Sequence, residues 1–228
     1  MPQSGYSLGR DPSKLGNVNW LLRSTEWSHP SYLYIYDFLK GHPDAKILEI
    51  GPGWGLMSFV IARLFPKVEI DWLLYGNKGK EFVGTYEAGL SKVRDYSKSI
   101  NTITYGIIEL DYSVVEENMY DLVVMTEVFE HFVLNPVDTM SIIRKSLKNG
   151  GRMVLTTPNW GHLTTYNSWK NLPTKLEIND ERYMDLKECG HVYQYSKEEL
   201  MEIFKEANWN IEKYDISESN NHNFLIYK

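Results

Sequence analysis

KILEIGPGWG, Lys46 to Gly55, decides how the rest of the chain is read. KILEI is short, apolar and bounded by a turn, so it predicts a buried strand. Three glycines within five residues, Gly51, Gly53 and Gly55, predict a tight turn whose backbone admits a ligand closely. LMSFVIARL, from about Leu56 to Leu64, follows as a helix. Strand, glycine turn and helix in that order open a doubly wound sheet, where ligands bind beyond the carboxyl ends of the strands. The third glycine comes one position early for a dinucleotide fingerprint, and Leu56 stands in its place. Glu49 precedes the turn by two residues, which suits a ligand with a cationic or amino-acid end better than a pyrophosphate.

The alternation continues outward from this turn. VEIDWLLY, part of NTITYGIIEL, YDLVVM and RMVLTT read as further strands. Helices are expected at about 80–97 and 136–147, the latter stopped by Asn149-Gly150-Gly151. Strands separated by helices imply a parallel α/β sheet covered on both faces. SKEELMEIFKEA carries a capping box, Ser196 to Glu199. WNIEKYDI and HNFLIY follow with nothing helical between them, so they are expected to pair antiparallel at one edge. Upstream, residues 1–30 read as an N-terminal arm, and a helix is expected from Ser31 to Lys40 with Ser31 in its cap. Residues 31–228 form the main domain, with 159–195 as a long aromatic cap over the site.

Composition narrows the function. A net charge of −6 argues against a broad groove for nucleic acid. Cys189 is the single cysteine, so an internal disulfide and a cysteine zinc cage are both excluded. No stretch reaches the length of a membrane span, and the first residues lack an apolar signal core, so a cytoplasmic protein is expected.

Four segments carry a family resemblance. ILEIGPGWG resembles the first motif of class I S-adenosylmethionine-dependent methyltransferases, and YDLVVMTEVFEHF resembles their fourth-strand motif. IIRKSLKNGGRMVLTTPN and GHVYQYSKEELMEIFKEANWNIE resemble the later helices and strand of that family. The match runs in register over roughly residues 45–215. It implies a seven-stranded Rossmann-like sheet, order 3-2-1-4-5-7-6, with the seventh strand antiparallel. It also implies S-adenosylmethionine as cofactor, held at its methionine end by Glu49 and the backbone of Gly51, Gly53 and Gly55. Asp111 matches the acid near the adenine, and Asp71 is the nearest candidate for the ribose hydroxyls, although it sits inside its strand.

Within TEVFEHF, Glu127, Glu130 and His131 fall at i, i+3 and i+4, which a helix would place on one face. The family fold brings His191 to the same edge. Glu127, Glu130, His131 and His191 are therefore candidate ligands for a divalent metal, in a pattern similar to small-RNA 2′-O-methyltransferases and ubiquinone-pathway O-methyltransferases. His131, Glu127 or His191 is alternatively a general base, or the group is scaffold. In the cap, Trp160, His162, Tyr166, Trp169 and Tyr183 are candidate lining residues. The resulting expectation is O-methylation of a sugar or other small acceptor, such as a surface polysaccharide or secondary metabolite. An RNA 2′-O-methyltransferase and a non-catalytic binding protein of the same fold are the alternatives.

Overall fold

The computed structural model describes residues 18–53, 55–74, 100–105, 115–159, 166–175 and 191–228. Seven strands form one sheet: β1 (Lys46–Ile50), β2 (Glu69–Leu74), β3 (Ile100–Tyr105), β4 (Tyr120–Thr126), β5 (Leu147–Pro158), β6 (Asn210–Ile216) and β7 (Asn221–Tyr227). Their order is β3-β2-β1-β4-β5-β7-β6, as the resemblance implies. The first five pair in parallel, while β7 runs antiparallel to both β5 and β6.

Four helices are described: α1 (Val18–Gly41), α2 (Leu56–Leu64), α3 (Pro136–Ser146) and α4 (Lys197–Glu206). Local chemistry sets their limits. Asn135 caps α3 by accepting from the Val137 amide at 3.1 Å, and Pro136 occupies the first turn, where a missing amide costs nothing. The expected capping box opens α4: Ser196 Oγ accepts from the Glu199 amide at 3.2 Å, and Glu199 accepts from the Ser196 amide at 2.8 Å.

Alternating side chains divide the core between the two sheet faces. Leu48, Ile50, Val123, Met125, Met153, Leu155, Phe224 and Ile226 pack on the α3 and α4 side, with Ile143, Leu200, Ile203 and Phe204. Ile47, Leu122, Val124, Val154 and Leu225 pack on the other side, with Leu39 of α1 and Met57 and Ile61 of α2. Both faces are thus apolar, which explains why the central strands read as near-continuous hydrophobic runs.

Three expectations change. The first helix begins at Val18 instead of Ser31, and Pro30 lies inside it, so residues 18–30 of the expected arm are helical. Ser31 is fully buried within that helix and is not its cap. β5 begins at Leu147 and takes in Gly150, whose φ of 81° fits glycine alone without strain. The extra residues fall where the β4–β5 register shifts, between Tyr120 and Leu122. The helix expected at about 80–97 lies outside the described residues.

Candidate active site at the carboxyl edge

The glycine turn leaves the carboxyl end of β1. Gly51, Gly53 and Gly55 have φ of 64°, 54° and 75°, a region that glycine enters freely. Their surroundings differ. A Cβ on Gly51 would lie 2.5 Å from Val128 Cγ2, so Gly51 is required by packing against the segment that follows β4. A Cβ on Gly53 would meet nothing within 4 Å, which leaves that backbone open to a ligand.

Glu49 lies beneath this turn at 2% exposure. Ser58 Oγ–H, on α2, donates to its carboxylate, and Trp72 Nε1–H donates to Ser58 Oγ at 2.7 Å. Burial pushes the carboxyl up to about 7, against the opposing pull of the hydrogen bonds from Ser58 and Trp72. A cationic ammonium arriving beside it would favour the ionised form, so Glu49 fits the methionine end of the cofactor.

This shift carries a pH prediction. A carboxyl raised from 4.5 to about 7 gives stability that is complete below pH 4.5 and lost as pH rises through about 7. Stability against urea is expected to fall across that window by on the order of 3 kcal/mol from Glu49 alone. Glu49→Gln should remove that share of the slope. An unchanged slope in the variant would show that Glu49 is not the group responsible.

Asp71 makes its contacts away from the glycine turn. Its carboxylate accepts from Tyr120 Oη–H at 3.1 Å and pairs with Lys46 Nζ at 3.4 Å. Lys46 opens β1 and Tyr120 opens β4, so the carboxylate is committed to the amino-edge half of the sheet, away from the turn. Asp71→Ala is expected to leave S-adenosylhomocysteine affinity within about twofold by calorimetry. It should lower stability by about 1–3 kcal/mol, because two groups lose a partner. A large loss of affinity would return Asp71 to the site. Asp111 lies outside the described residues, as do Trp160, His162 and Tyr183 of the cap. Tyr166 is partly buried against the core, and Trp169, 2% exposed, is a core residue of the cap rather than a lining one.

The segment after β4 departs from a regular helix. Glu127 has a φ of 55°, uncommon for a residue with a side chain, and only Phe129–His131 form a short 3-10 turn. The expected one-face arrangement therefore does not form. Glu127 turns back to β5, where its amide donates to the Thr156 carbonyl at 3.0 Å and its carboxylate accepts from Thr156 Oγ1–H at 2.7 Å.

Glu130, 1% exposed, accepts from the hydroxyl of the next residue of β5, Thr157, at 3.0 Å. Its Oε1 lies 3.7 Å from His131 Nε2 and 3.9 Å from His191 Nε2. The two imidazoles meet edge to face, with centroids 4.9 Å apart. His191 reaches this point because the Glu130 carbonyl accepts from the Val192 amide at 2.8 Å and the Tyr193 amide at 3.2 Å.

Burial raises both carboxyls, and Glu127 is raised further by the charge of Glu130. Burial, and then the neighbouring His131, push His191 down to about 4. His191 is therefore neutral near pH 7 and keeps a lone pair. Donor atoms of Glu130, His131 and His191 lie within 4.8 Å of one another. Two nitrogens and one carboxylate oxygen at such spacing fit a divalent cation or a shared proton. Glu127 is not part of this trio, so of the four expected ligands Glu130, His131 and His191 are the ones that converge. Thr156, Thr157 and Gln194 were absent from that set. Two threonines ending an apolar strand are the one signal that pointed to them.

Comparison with known proteins agrees with the fold. No curated protein matches the chain. A SAM-dependent methyltransferase from Aquifex aeolicus is similar at 13% identity and a TM-score of 0.60, covering 95% of this chain and 93% of that one. An O-methyltransferase family 2 protein from Planctomyces limnophilus in complex with apigenin is similar at 15% identity and a TM-score of 0.55, covering 81% of this chain and 51% of that one. The N,N-8-amino-8-demethyl-D-riboflavin dimethyltransferase from Streptomyces davawensis is similar at 13% identity and a TM-score of 0.59, covering 91% of this chain and 55% of that one. At such identities the likeness shows the fold, and this chain spans only about half of the last two proteins. The family model described as a methyltransferase domain matches residues 34–214, a span that includes the glycine turn, β4 with its acidic end and the capped α4. The chain belongs to that family and is an S-adenosylmethionine-dependent methyltransferase.

Proposed function

We propose that this enzyme methylates a hydroxyl oxygen on a sugar or another small acceptor. One observation carries the reading: Glu130, His131 and His191 converge within 4.8 Å, and the first two follow closely after Val128, which packs against the glycine turn. An alcohol is a poor nucleophile until its proton is taken, so a neutral imidazole beside a buried carboxylate suits an oxygen acceptor. In this reading His131 or His191 takes the hydroxyl proton, and Glu130 stabilises the imidazolium that forms. Glu49 and the open backbone at Gly53 hold the cofactor.

The same three side chains are the ones that would hold a divalent cation, which when bound would polarise the acceptor oxygen. An RNA 2′-hydroxyl presents the same chemistry, but the net charge of −6 disfavours a polyanionic substrate. The test transfers a labelled methyl group from S-adenosylmethionine to panels of sugars, phenols, amines and short RNA. Label in an ether of a sugar or phenol is the expected outcome. Label on nitrogen or in RNA overturns the reading. Repeating the reaction with a chelator separates the cation from the base: loss of turnover with unchanged cofactor affinity identifies a cation.

A further inference from the structure

We infer that Gln194 is the positioning residue that decides which ring nitrogen of His191 carries the proton. This rests on the reading that His191 serves the acceptor, either as base or as metal ligand. Gln194 is 3% exposed, and its side-chain Nε2 lies 2.9 Å from His191 Nδ1. Its Oε1 is buried and has no hydrogen-bond partner among the described residues. Both neighbours in sequence, Tyr193 and Tyr195, are buried, so the amide has little room except to turn about its own axis.

The two ends of an amide have nearly the same shape but opposite hydrogen-bonding character. With the NH2 toward Nδ1, the amide donates and Nδ1 accepts. The proton of the neutral ring is then on Nε2, which faces Glu130 Oε1 at 3.9 Å. His191 in this arrangement offers the cluster a donor, so Nε2 has no lone pair for a substrate proton or a cation.

With the amide turned by half a revolution, Oε1 accepts from Nδ1–H. The buried oxygen gains its partner, and Nε2 presents a lone pair to Glu130 and His131. Second partners of this kind commonly fix the tautomer of an imidazole that ligates a metal or moves a proton. The two positions of one buried amide therefore correspond to a closed and a competent form of the same histidine.

Long-range 15N–1H NMR on the full chain with labelled histidine reads this tautomer directly. In the wild type without added metal, His191 is expected as the Nε2–H form. Gln194→Glu, whose carboxylate accepts only, should move it to Nδ1–H. Gln194→Leu, which contacts neither nitrogen, should leave a mixture. Calorimetry with Zn2+ alone should give roughly tenfold tighter binding for Q194E than for the wild type, with Q194L between the two and no binding in His131→Ala. If neither substitution at Gln194 alters the tautomer, the inference is wrong. If the tautomer responds but Zn2+ fails to bind any form, Gln194 keeps its role and the cation is ruled out of the proposed function.

Discussion

Replacing Gly53 by arginine is expected to abolish S-adenosylhomocysteine binding while leaving a folded protein. A Cβ at Gly53 would meet nothing within 4 Å among the described residues, so an arginine can leave the turn without displacing the packed core. The cost to the fold is the φ of 54°, on the order of 1–2 kcal/mol for a residue with a Cβ. The cost to the ligand is larger, because the arginine fills the space through which the cofactor must approach the backbone. Affinity should fall by at least about 2.7 kcal/mol, roughly 100-fold. Gly51→Ala is the contrasting variant. Its Cβ would press on Val128 at 2.5 Å, and its φ of 64° is equally unfavourable, so the loss should be in stability first. Calorimetry and urea unfolding on the pair separate the two roles. Unchanged affinity in Gly53→Arg would remove the glycine turn from the cofactor site.

The second large effect concerns the trio at the end of β4. His131→Ala, His191→Ala and Glu130→Ala are each expected to keep cofactor affinity. The histidine that acts as base should lose about 10²–10⁴-fold in kcat on the true acceptor. With a cation, all three should be comparably inactive, since each supplies one donor atom. Glu127→Gln should lose less than any of them under either chemistry, because its carboxylate is hydrogen-bonded to Thr156 and stands outside the trio. Full activity in all three alanine variants would reduce the cluster to scaffold.

Much of this architecture was legible in the residues. The succession of strands and helices followed from the alternation of apolar runs, the strand order from the family resemblance, and the boundaries of α2 from one glycine and one change of period. The capping box stated its own hydrogen bonds. The departures share one cause: they depend on partners far away in sequence. Helical spacing in TEVFEHF was a sound local inference, but Glu127 is drawn into a left-handed conformation by Thr156, 29 residues later. Asp71 stands in the expected strand, and only its contacts with Lys46 and Tyr120 reveal where its carboxylate is engaged. Pro30 looked like a helix boundary. A proline deep within α1 removes one helical hydrogen bond, a loss that the packing of Tyr34, Ile35 and Leu39 against the sheet can outweigh.

The hydrogen bonds from the Val192 and Tyr193 amides to the Glu130 carbonyl bear on how such an enzyme changes over evolutionary time. Both involve main-chain atoms alone, so among side-chain substitutions only proline at Val192 or Tyr193 removes a donor. They join the turn after β4 that carries His131 to the segment before α4 that carries His191, at the far end of the long insertion that follows β5. That insertion can therefore change in length and sequence while the Glu130 carbonyl keeps the two imidazoles in register. A joint built from main-chain atoms in this way is invisible to any comparison of side chains.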